Sequence, residues 1–244
     1  MNLELISLGR CFSDGWEAFK EYIGISIGVF VVYTAINMAA GYIPVIGQIW
    51  QLTGGFVLAG GFVLFFLKVL KSENPSFGDL FSQFSDFVRW LGVAWLLILY
   101  TLIAAIISAI PCGLFALIGL AAGKESSLFQ ILLGIGAFIS VVILYCIVIR
   151  WAYVFYAAAD EGLTAKAAIV RSEELTAGIR PQVFWVTLVA GLVAVAGAIV
   201  FGVGVLFTIP LSYCIMTALY LNTKTMRSGD QQIETPTDSS TPTL

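Results

Sequence analysis

Long apolar stretches, separated by short groups of charged residues, set the pattern of this chain. Four windows contain no Asp, Glu, Lys or Arg, and they cover residues 22–67, 90–123, 126–149 and 181–223. A transmembrane helix needs about 20 consecutive apolar residues, and a charge at its centre costs about 2.5–3.5 kcal/mol. The windows therefore hold two, one, one and two spans, and we expect an all-α polytopic membrane protein with six transmembrane helices.

Proline and glycine divide the two longest windows into separate spans. Pro44 and Gly47 break the first window, and Gly202 and Gly204 supply a turn in the last one. The spans are predicted at about residues 23–41, 48–67, 90–110, 128–149, 183–200 and 206–222.

Pro111 makes the end of the third span ambiguous. Proline disfavours helix in the residue before it, so the span should kink or end at Ile110. Residues 112–123 are apolar but too short to span alone. They either continue the third span past a kink or lie at the outer interface.

Three segments, one before the first window and two between windows, have apolar residues at helical spacing and charged residues on the opposite face. They cover about residues 3–22, 76–89 and 164–178, and Ser76 is the expected N-cap of the second. Such helices lie in the membrane surface, although an aromatic face can also seat a partner protein. The predicted membrane-surface or partner face consists of Phe12, Trp16, Phe19, Phe77, Phe81 and Phe84.

The surface segments open three similar units, each made of a surface helix, a span, a Gly/Pro break and a second span. The units start near residues 3, 76 and 163, and their sequences differ, so the expected threefold repeat is one of architecture. Residues 1–224 are interpreted as a single membrane domain. Residues 225–244 are rich in Thr, Ser, Pro and Asp and are expected to form a disordered cytoplasmic tail.

Lys and Arg fall almost entirely on one side of the predicted spans. The chain has 12 of them, and only Lys124 falls on the side opposite the termini. Because cytoplasmic loops carry an excess of Lys and Arg, both termini and all three surface helices are assigned to the cytoplasm.

Composition excludes several classes of function. Hydrophobic residues make up 59% of the chain and charged residues 11%, with mean hydropathy +0.97, and there is no histidine. A His-based nucleophile relay is therefore excluded, and neither a phosphate-binding loop nor a dinucleotide fingerprint occurs. The four cysteines are isolated, and the pair Asp160 and Glu161 has the character of a solvated helix end. We expect no enzyme activity, no metal, no cofactor and no nucleic acid partner.

Polar but uncharged side chains are the remaining candidates within the spans. The spans hold no ionisable carboxylate or amine, which argues against proton-coupled transport. Polar residues in spans usually form interhelical hydrogen bonds, and they can also line a polar cavity. The candidates are Tyr33, Asn37, Gln48, Gln51, Tyr213, Thr217 and Tyr220.

The pattern of the chain as a whole resembles a known group of proteins. The likeness covers about residues 5–222 and rests on the stretch WAYVFYAAADEG at 151–162, followed by Ala167, Ala168, Ser172, Gly178, Pro210, Ala218, Leu219 and Tyr220. It resembles bacterial six-span proteins of unknown function, similar to the membrane domain of glycerophosphoryl diester phosphodiesterase. The resemblance implies a location in the bacterial cytoplasmic (inner) membrane. It implies no catalysis, because the catalytic barrel of those phosphodiesterases has no counterpart here.

Two functional hypotheses follow. The first is a non-enzymatic protein that organises the membrane, binding lipid or partner proteins, or further copies of itself, through its amphipathic helices. The alternative is a carrier for a neutral or amphiphilic small molecule, suggested by the breaks at Pro44, Pro111 and Pro210. A cavity lined by Tyr33, Asn37 and Tyr213 would favour the carrier, and a tightly packed bundle would favour the first hypothesis.

Overall fold

The computed structural model describes residues 6–120, 123, 126–199 and 204–234, and over these residues the chain is helical with no strand. The α-helices, joined in two places by 3₁₀ turns, are α1 Leu8–Glu21, α2 Ile23–Gly41, α3 Ile46–Leu52, α4 Gly54–Lys71, α5 Asp79–Ser82, α6 Phe87–Leu120, α7 Ser127–Val148, α8 Val154–Asp160, α9 Ala165–Thr176, α10 Arg180–Ile199 and α11 Val205–Glu234.

Six helical segments within these residues are long and apolar enough to cross a membrane. They are Ile23–Gly41, Gly54–Lys71, Asp79–Leu120, Ser127–Asp160, Arg180–Gly197 and Val205–Gly229. The prediction of an all-α polytopic membrane protein with six spans is therefore confirmed.

The chain divides into two compact units, and the first comprises residues 1–31, 66–75 and 181–244. Within it α1 packs closely against α11 at Gly15. A Cβ placed on Gly15 would lie 2.8 Å from the backbone nitrogen of Ile215, which is closer than real side chains approach backbone. Cys11 and Phe19 lie one turn to either side of Gly15 and are buried. The absence of a side chain at Gly15 is what allows this helix contact.

Hydroxyl groups join α10 to α11 in the same unit. Ser212 Oγ donates to the carbonyl of Ala190 at 2.8 Å, and Thr208 Oγ1 donates to the carbonyl of Ala194 at 3.2 Å. Hydroxyls on small side chains satisfy backbone acceptors across a close helix pair in an apolar environment.

The second unit comprises residues 32–65 and 76–180, and its core is centred on Trp90. A Cβ on Gly60 would lie 2.5 Å from the Trp90 ring, so glycine makes room for the indole. The buried core residues are Val57, Trp90, Val93, Ala104, Trp151, Val154, Ala158, Ala168 and Ile169. These residues come from α4, α6, α8, α9 and the 3₁₀ turn Ile149–Trp151.

The third span continues through Pro111 instead of ending at Ile110. Gly136 of α7 brings its backbone close to Pro111 and Cys112, since a Cβ there would lie 3.0 Å from the Cys112 Cα. Ser140 Oγ accepts a hydrogen bond from the Cys112 backbone nitrogen at 3.2 Å. A neighbouring helix thus satisfies backbone that proline disturbs, as membrane helices commonly require. Of the two alternatives for residues 112–123, helix continuation holds as far as Leu120.

The second span begins later than expected. The sequence predicts a start at Gln48, but residues 46–52 form the separate helix α3, and Thr53 separates it from α4. The Trp50 ring folds back over Gly54, where a Cβ would lie 2.5 Å from its Cε3 atom. Gly54 and Gly55 have no side chains, so they leave room for the Trp50 ring and the Trp50 carbonyl at the junction of α3 and α4.

The last span is longer than expected. The tail predicted as disordered from residue 225 is helical as far as Glu234, and Met226 is only 4% exposed. Extending a formed helix needs no new nucleus, so residues of low helix propensity can continue it. The rest of the predicted tail, residues 235–244, lies outside the described residues.

The three predicted surface segments are helical over shorter ranges. They are α1, α9, and α5 followed by a 3₁₀ turn over Gln83–Asp86. The second helix starts at Asp79, three residues after Ser76. The Asp79 carboxylate accepts hydrogen bonds from the Ser76 nitrogen at 2.7 Å and from its hydroxyl at 3.1 Å. Gly78, and not Ser76, occupies the N-cap position of α5, so the prediction of Ser76 as the N-cap is wrong. Ser76 instead donates both hydrogen bonds to Asp79, which ties the preceding turn to the start of the helix.

Candidate functional site

The polar candidates near the first break are used in local contacts of the second unit. Asn37 Nδ2 donates to the Tyr33 carbonyl at 2.9 Å, and Asn37 Oδ1 accepts from Trp50 Nε1 at 3.3 Å. The Tyr33 ring stacks on Phe62 with centroids 4.5 Å apart. Gln48 and Gln51 are exposed. The amide of Asn37 therefore holds α3 against α2.

The polar candidates of the last span lie in the first unit. Thr217 and Tyr220 are buried in α11, and Thr217 Oγ1 donates to the Tyr213 carbonyl one turn earlier at 2.7 Å. The Tyr213 ring stacks on Phe66 at 5.5 Å. The seven polar candidates are thus divided between the two units, four in one and three in the other.

The apolar face of α1 is exposed along one row and buried along the next. Phe12 and Trp16 are exposed, with 42% of Trp16 accessible, whereas Phe19 is 2% exposed and packs inside the unit. Leu8 extends the exposed row by one turn. The Lys20 ammonium lies 5.8 Å from the Trp16 ring centre, so a cation borders the exposed row. An aromatic row with a basic edge is typical of helices that lie at a membrane interface.

The second predicted face, which consists of Phe77, Phe81 and Phe84, is also partly exposed and partly buried. Phe77 and Phe81 are exposed, the latter by 47%. Phe84 is half-buried and stacks on Trp50 with centroids 6.3 Å apart. Phe84 therefore belongs to the packing of the second unit, and Phe77 and Phe81 remain as the outward pair.

Arg89 forms a polar network that spacing along the chain does not reveal. Its guanidinium donates to the carbonyls of Ala158 at 2.8 Å and Leu163 at 3.4 Å, and to the Gln83 side-chain oxygen at 3.0 Å. The same Gln83 oxygen accepts from Trp90 Nε1 at 2.7 Å. Arg89 thereby caps the end of α8 and ties it to the segment before α6.

The break between α7 and α8 is held by a side chain from α9. Ser172 is fully buried, and its hydroxyl donates to the Arg150 carbonyl at 2.9 Å while accepting from the Tyr153 nitrogen at 3.1 Å. The Glu173 carboxylate pairs with Arg150 at 3.3 Å and accepts from Trp151 Nε1 at 3.2 Å. Ser172 and Glu173 of α9 thus provide hydrogen bonds to the backbone at the break and a counter-charge to Arg150.

An acidic cleft of about 330 Å³ lies in the first unit between α1, the end of α4 and α11. Its polar lining includes Asp14, Glu17, Glu21 and Asn222, and Asn222 Nδ2 donates to Asp14 Oδ2 at 2.9 Å. Among the described residues, no three His, Cys, Asp or Glu side chains come close enough to hold a metal ion. The cleft has the chemistry to attract cations, and the described carboxylates have no metal-ligating geometry.

Cys11 lies beside this cleft, and its thiol is unreactive at neutral pH. Burial raises the pKa of its thiol to about 11 against an ordinary 9.0, although the neighbouring Asn222 side chain lowers it slightly. The thiolate is the reactive form, so this cysteine has little nucleophilic character at neutral pH.

The predicted pair Asp160 and Glu161 ends α8. Glu161 pairs with Arg171 at 3.3 Å, and Arg171 also reaches Glu174 at 3.5 Å. These charges fix the turn at Gly162, where φ is +65°.

The geometry therefore presents two outward apolar faces. One is on α1, and the other is formed by Phe81 of α5 with Phe77 in the turn before it. In comparisons with known proteins, no curated protein and no solved structure matches the chain. One family model matches residues 16–227 and is described as "Protein of unknown function (DUF975)". Because that match covers most of its length, the chain belongs to this family of proteins of unknown function.

Proposed function

We propose that this protein is a non-enzymatic organiser of membrane lipid, acting through the outward faces of α1 and α5. The observation that carries the proposal is the exposed row of Leu8, Phe12 and Trp16 on α1. One residue separates α1 from the first span, so this row must lie close to the bilayer. Lipid is therefore its expected occupant.

The charge pattern supports the same proposal. Eleven of the 12 Lys and Arg fall on the side of the surface helices, including Lys20 beside Trp16. Such a bias is typical of loops on the cytoplasmic side. Because α1 also carries Asp14, Glu17 and Glu21, its apolar row and not its net charge is the part expected to bind lipid. Under this proposal the surface helices and both termini face the cytoplasm. The inner-membrane location and the likeness to the phosphodiesterase membrane domain are part of the same proposal.

The proposal is tested by measuring the clustering of a fluorescent anionic lipid in vesicles that contain the full chain. A variant with Phe12, Trp16, Phe77 and Phe81 all changed to Ser should lower clustering towards that of protein-free vesicles. The matched control, Phe12→Leu with Trp16→Phe, keeps the faces apolar and should retain clustering.

Two results would overturn the proposal. In one, the serine variant is folded and clusters lipid as well as the unchanged protein does. In the other, clustering is unchanged and the variant instead loses a cross-link to a co-purified protein, which would make these faces a protein-binding surface.

The carrier hypothesis ranks second because the polar side chains suited to it make internal contacts. Asn37 bridges Tyr33 and Trp50, and Thr217 bonds within its own helix. Uptake of a neutral solute by reconstituted vesicles, lost in Asn37→Leu, would reverse this ranking.

A further inference from the structure

An open groove of about 500 Å³ runs along the outward face of α9 in the second unit. The opposite face of α9 is buried, so the groove uses the side of the helix that the unit leaves open. Its apolar wall consists of Leu163, in the turn before the helix, and of Ala167 and Val170. Val170 is 47% exposed, so an apolar group can enter the groove and rest against it.

The groove begins next to the end of a span. The fourth candidate span ends at Asp160, and four residues separate it from α9. Four residues reach at most about 14 Å, so the start of the groove lies close to the lipid headgroups. Phospholipid is therefore the molecule that the groove meets there.

Two cations lie along the groove. Lys166 is exposed, and no described carboxylate pairs with it. Arg171 uses Nε for Glu161 at 3.3 Å and Nη1 for Glu174 at 3.5 Å, which leaves its Nη2 donors available. Ammonium and guanidinium groups form charge-assisted hydrogen bonds with phosphate. The groove therefore offers a phosphate group a position between Lys166 and Arg171.

A carboxylate follows these two cations along the helix. Glu174 lies three residues after Arg171, which is about 4.5 Å further along the helix axis, and its side chain is 60% exposed. A carboxylate has about four lone-pair sites, so its contact with Arg171 leaves room for further donors. An ammonium joined to the phosphate by a short linker can reach Glu174.

The charges of the groove sum to zero, because Lys166 and Arg171 balance Glu161 and Glu174. A neutral groove has little net attraction for an anion. Its cations and its exposed carboxylate are instead arranged in an order that complements a zwitterion, with phosphate first and ammonium second.

We propose that this groove binds the headgroup of a phospholipid with a primary ammonium, holding the phosphate at Lys166 and Arg171 and the ammonium at Glu174. The site rests on the proposed lipid function and adds a headgroup preference to it, through a helix that the faces of α1 and α5 do not include. Phosphatidylethanolamine is the probe. Phosphatidylcholine of the same acyl chains is the comparison, since its methylated ammonium has no N–H donor.

Native mass spectrometry of the full chain measures how much of each lipid stays bound. The unchanged protein should retain phosphatidylethanolamine about fivefold more tightly than phosphatidylcholine, which corresponds to one net hydrogen bond. Glu174→Gln should abolish that preference. Lys166→Gln should weaken retention of both lipids, because both carry the phosphate, and Lys166→Arg should restore it.

Glu73→Gln is the matched control, because Glu73 is also an exposed carboxylate but does not line the groove, and it should keep the preference. A thermal shift separates binding from folding. Without lipid, Glu174→Gln should melt close to the unchanged protein, since exposed ion pairs add little stability. Phosphatidylethanolamine should raise the melting temperature of the unchanged protein and of Glu73→Gln more than phosphatidylcholine does, and it should not do so for Glu174→Gln.

Equal retention of the two lipids by the unchanged protein would overturn the site without use of any variant. Tighter retention of phosphatidylglycerol than of phosphatidylethanolamine would also overturn it, because the cations would then act alone. Displacement of the lipid by an equal concentration of soluble glycerophosphoethanolamine would exclude lipid as the occupant. A preference that survives Glu174→Gln would contradict the role of that carboxylate and the site with it.

The same variants separate this site from the proposed function. If the four-serine variant of α1 and α5 leaves lipid clustering intact while Glu174→Gln loses the preference, the proposed function fails and this site stands. If the serine variant loses clustering and the unchanged protein shows no preference, the proposed function stands and this site fails.

Discussion

The Ser172 hydroxyl donates a hydrogen bond to the Arg150 carbonyl at 2.9 Å, across a break in the helix that contains Arg150. Because the 3₁₀ turn Ile149–Trp151 interrupts the regular ladder between α7 and α8, backbone groups there need partners from elsewhere. A residue of α9 supplies them, so α9 stabilises the end of the span to which α7 belongs.

Ser172→Ala should lower the free energy of unfolding by about 1–3 kcal/mol, because the Arg150 carbonyl and the Tyr153 nitrogen each lose a buried hydrogen bond to Ser172. Urea unfolding in detergent, followed by circular dichroism, measures the change. Ser85→Ala is the control, since Ser85 is exposed and its hydroxyl donates to the Ser82 carbonyl within the same local segment. Equal effects of the two substitutions would contradict the role given to Ser172.

Arg89→Gln should destabilise the protein by about 2–3 kcal/mol, because the buried acceptors of Ala158 and Gln83 lose a charged donor. Arg89→Lys should recover only part of this loss, since an ammonium lacks the planar fork that reaches several acceptors. The exposed Arg10 provides the control, and Arg10→Gln should change stability by less than about 0.5 kcal/mol. Full recovery by lysine would show that charge alone matters.

Two glycines of α1 should respond in opposite directions to alanine. Gly15→Ala forces a methyl group against the Ile215 backbone and should destabilise the protein by about 1–3 kcal/mol. Gly9→Ala meets nothing within 4 Å and should stabilise by up to about 1 kcal/mol through helix propensity. Thermal unfolding of both variants tests whether α1 contacts α11 at Gly15, and a stabilising Gly15→Ala would rule that contact out.

The number of spans can be predicted from the sequence, but the path of α6 through Pro111 cannot, because it depends on contacts with another helix. Charge-free windows are reliable because each ionised group in hydrocarbon carries a large local cost, and six apolar helices follow from that alone. The path of α6 through Pro111 depends on Gly136 and Ser140 of another helix, which no local rule around the proline can supply.

Arg89 illustrates the same limit for the candidate surfaces. Helical spacing places it on a solvated face, but its acceptor at Ala158 lies 69 residues away along the chain. Phe12 and Phe19 also look equivalent by spacing, and only the packing of α1 on α11 separates the exposed ring from the buried one.

The thiol of Cys11 should be unreactive in the folded protein at pH 8. Its pKa is raised to about 11 by burial, so the thiolate is scarce there. Since the unfolded thiol ionises near 9.0, stability is greatest below that pH and falls as the pH rises towards 11. Maleimide labelling of a variant that keeps only Cys11 checks this. Rapid labelling at pH 8 without denaturant would contradict the burial.

The orientation of the chain in the bilayer tests the whole account most directly. Single cysteines at Ser85, Thr164 and Ser127, in a background without the native cysteines, are exposed to a membrane-impermeant maleimide in intact cells. We predict that Ser127→Cys is labelled, whereas Ser85→Cys and Thr164→Cys react only after the cells are opened. Labelling that places Ser85 and Thr164 on opposite sides of the membrane would contradict the paired spans and every surface assigned from them.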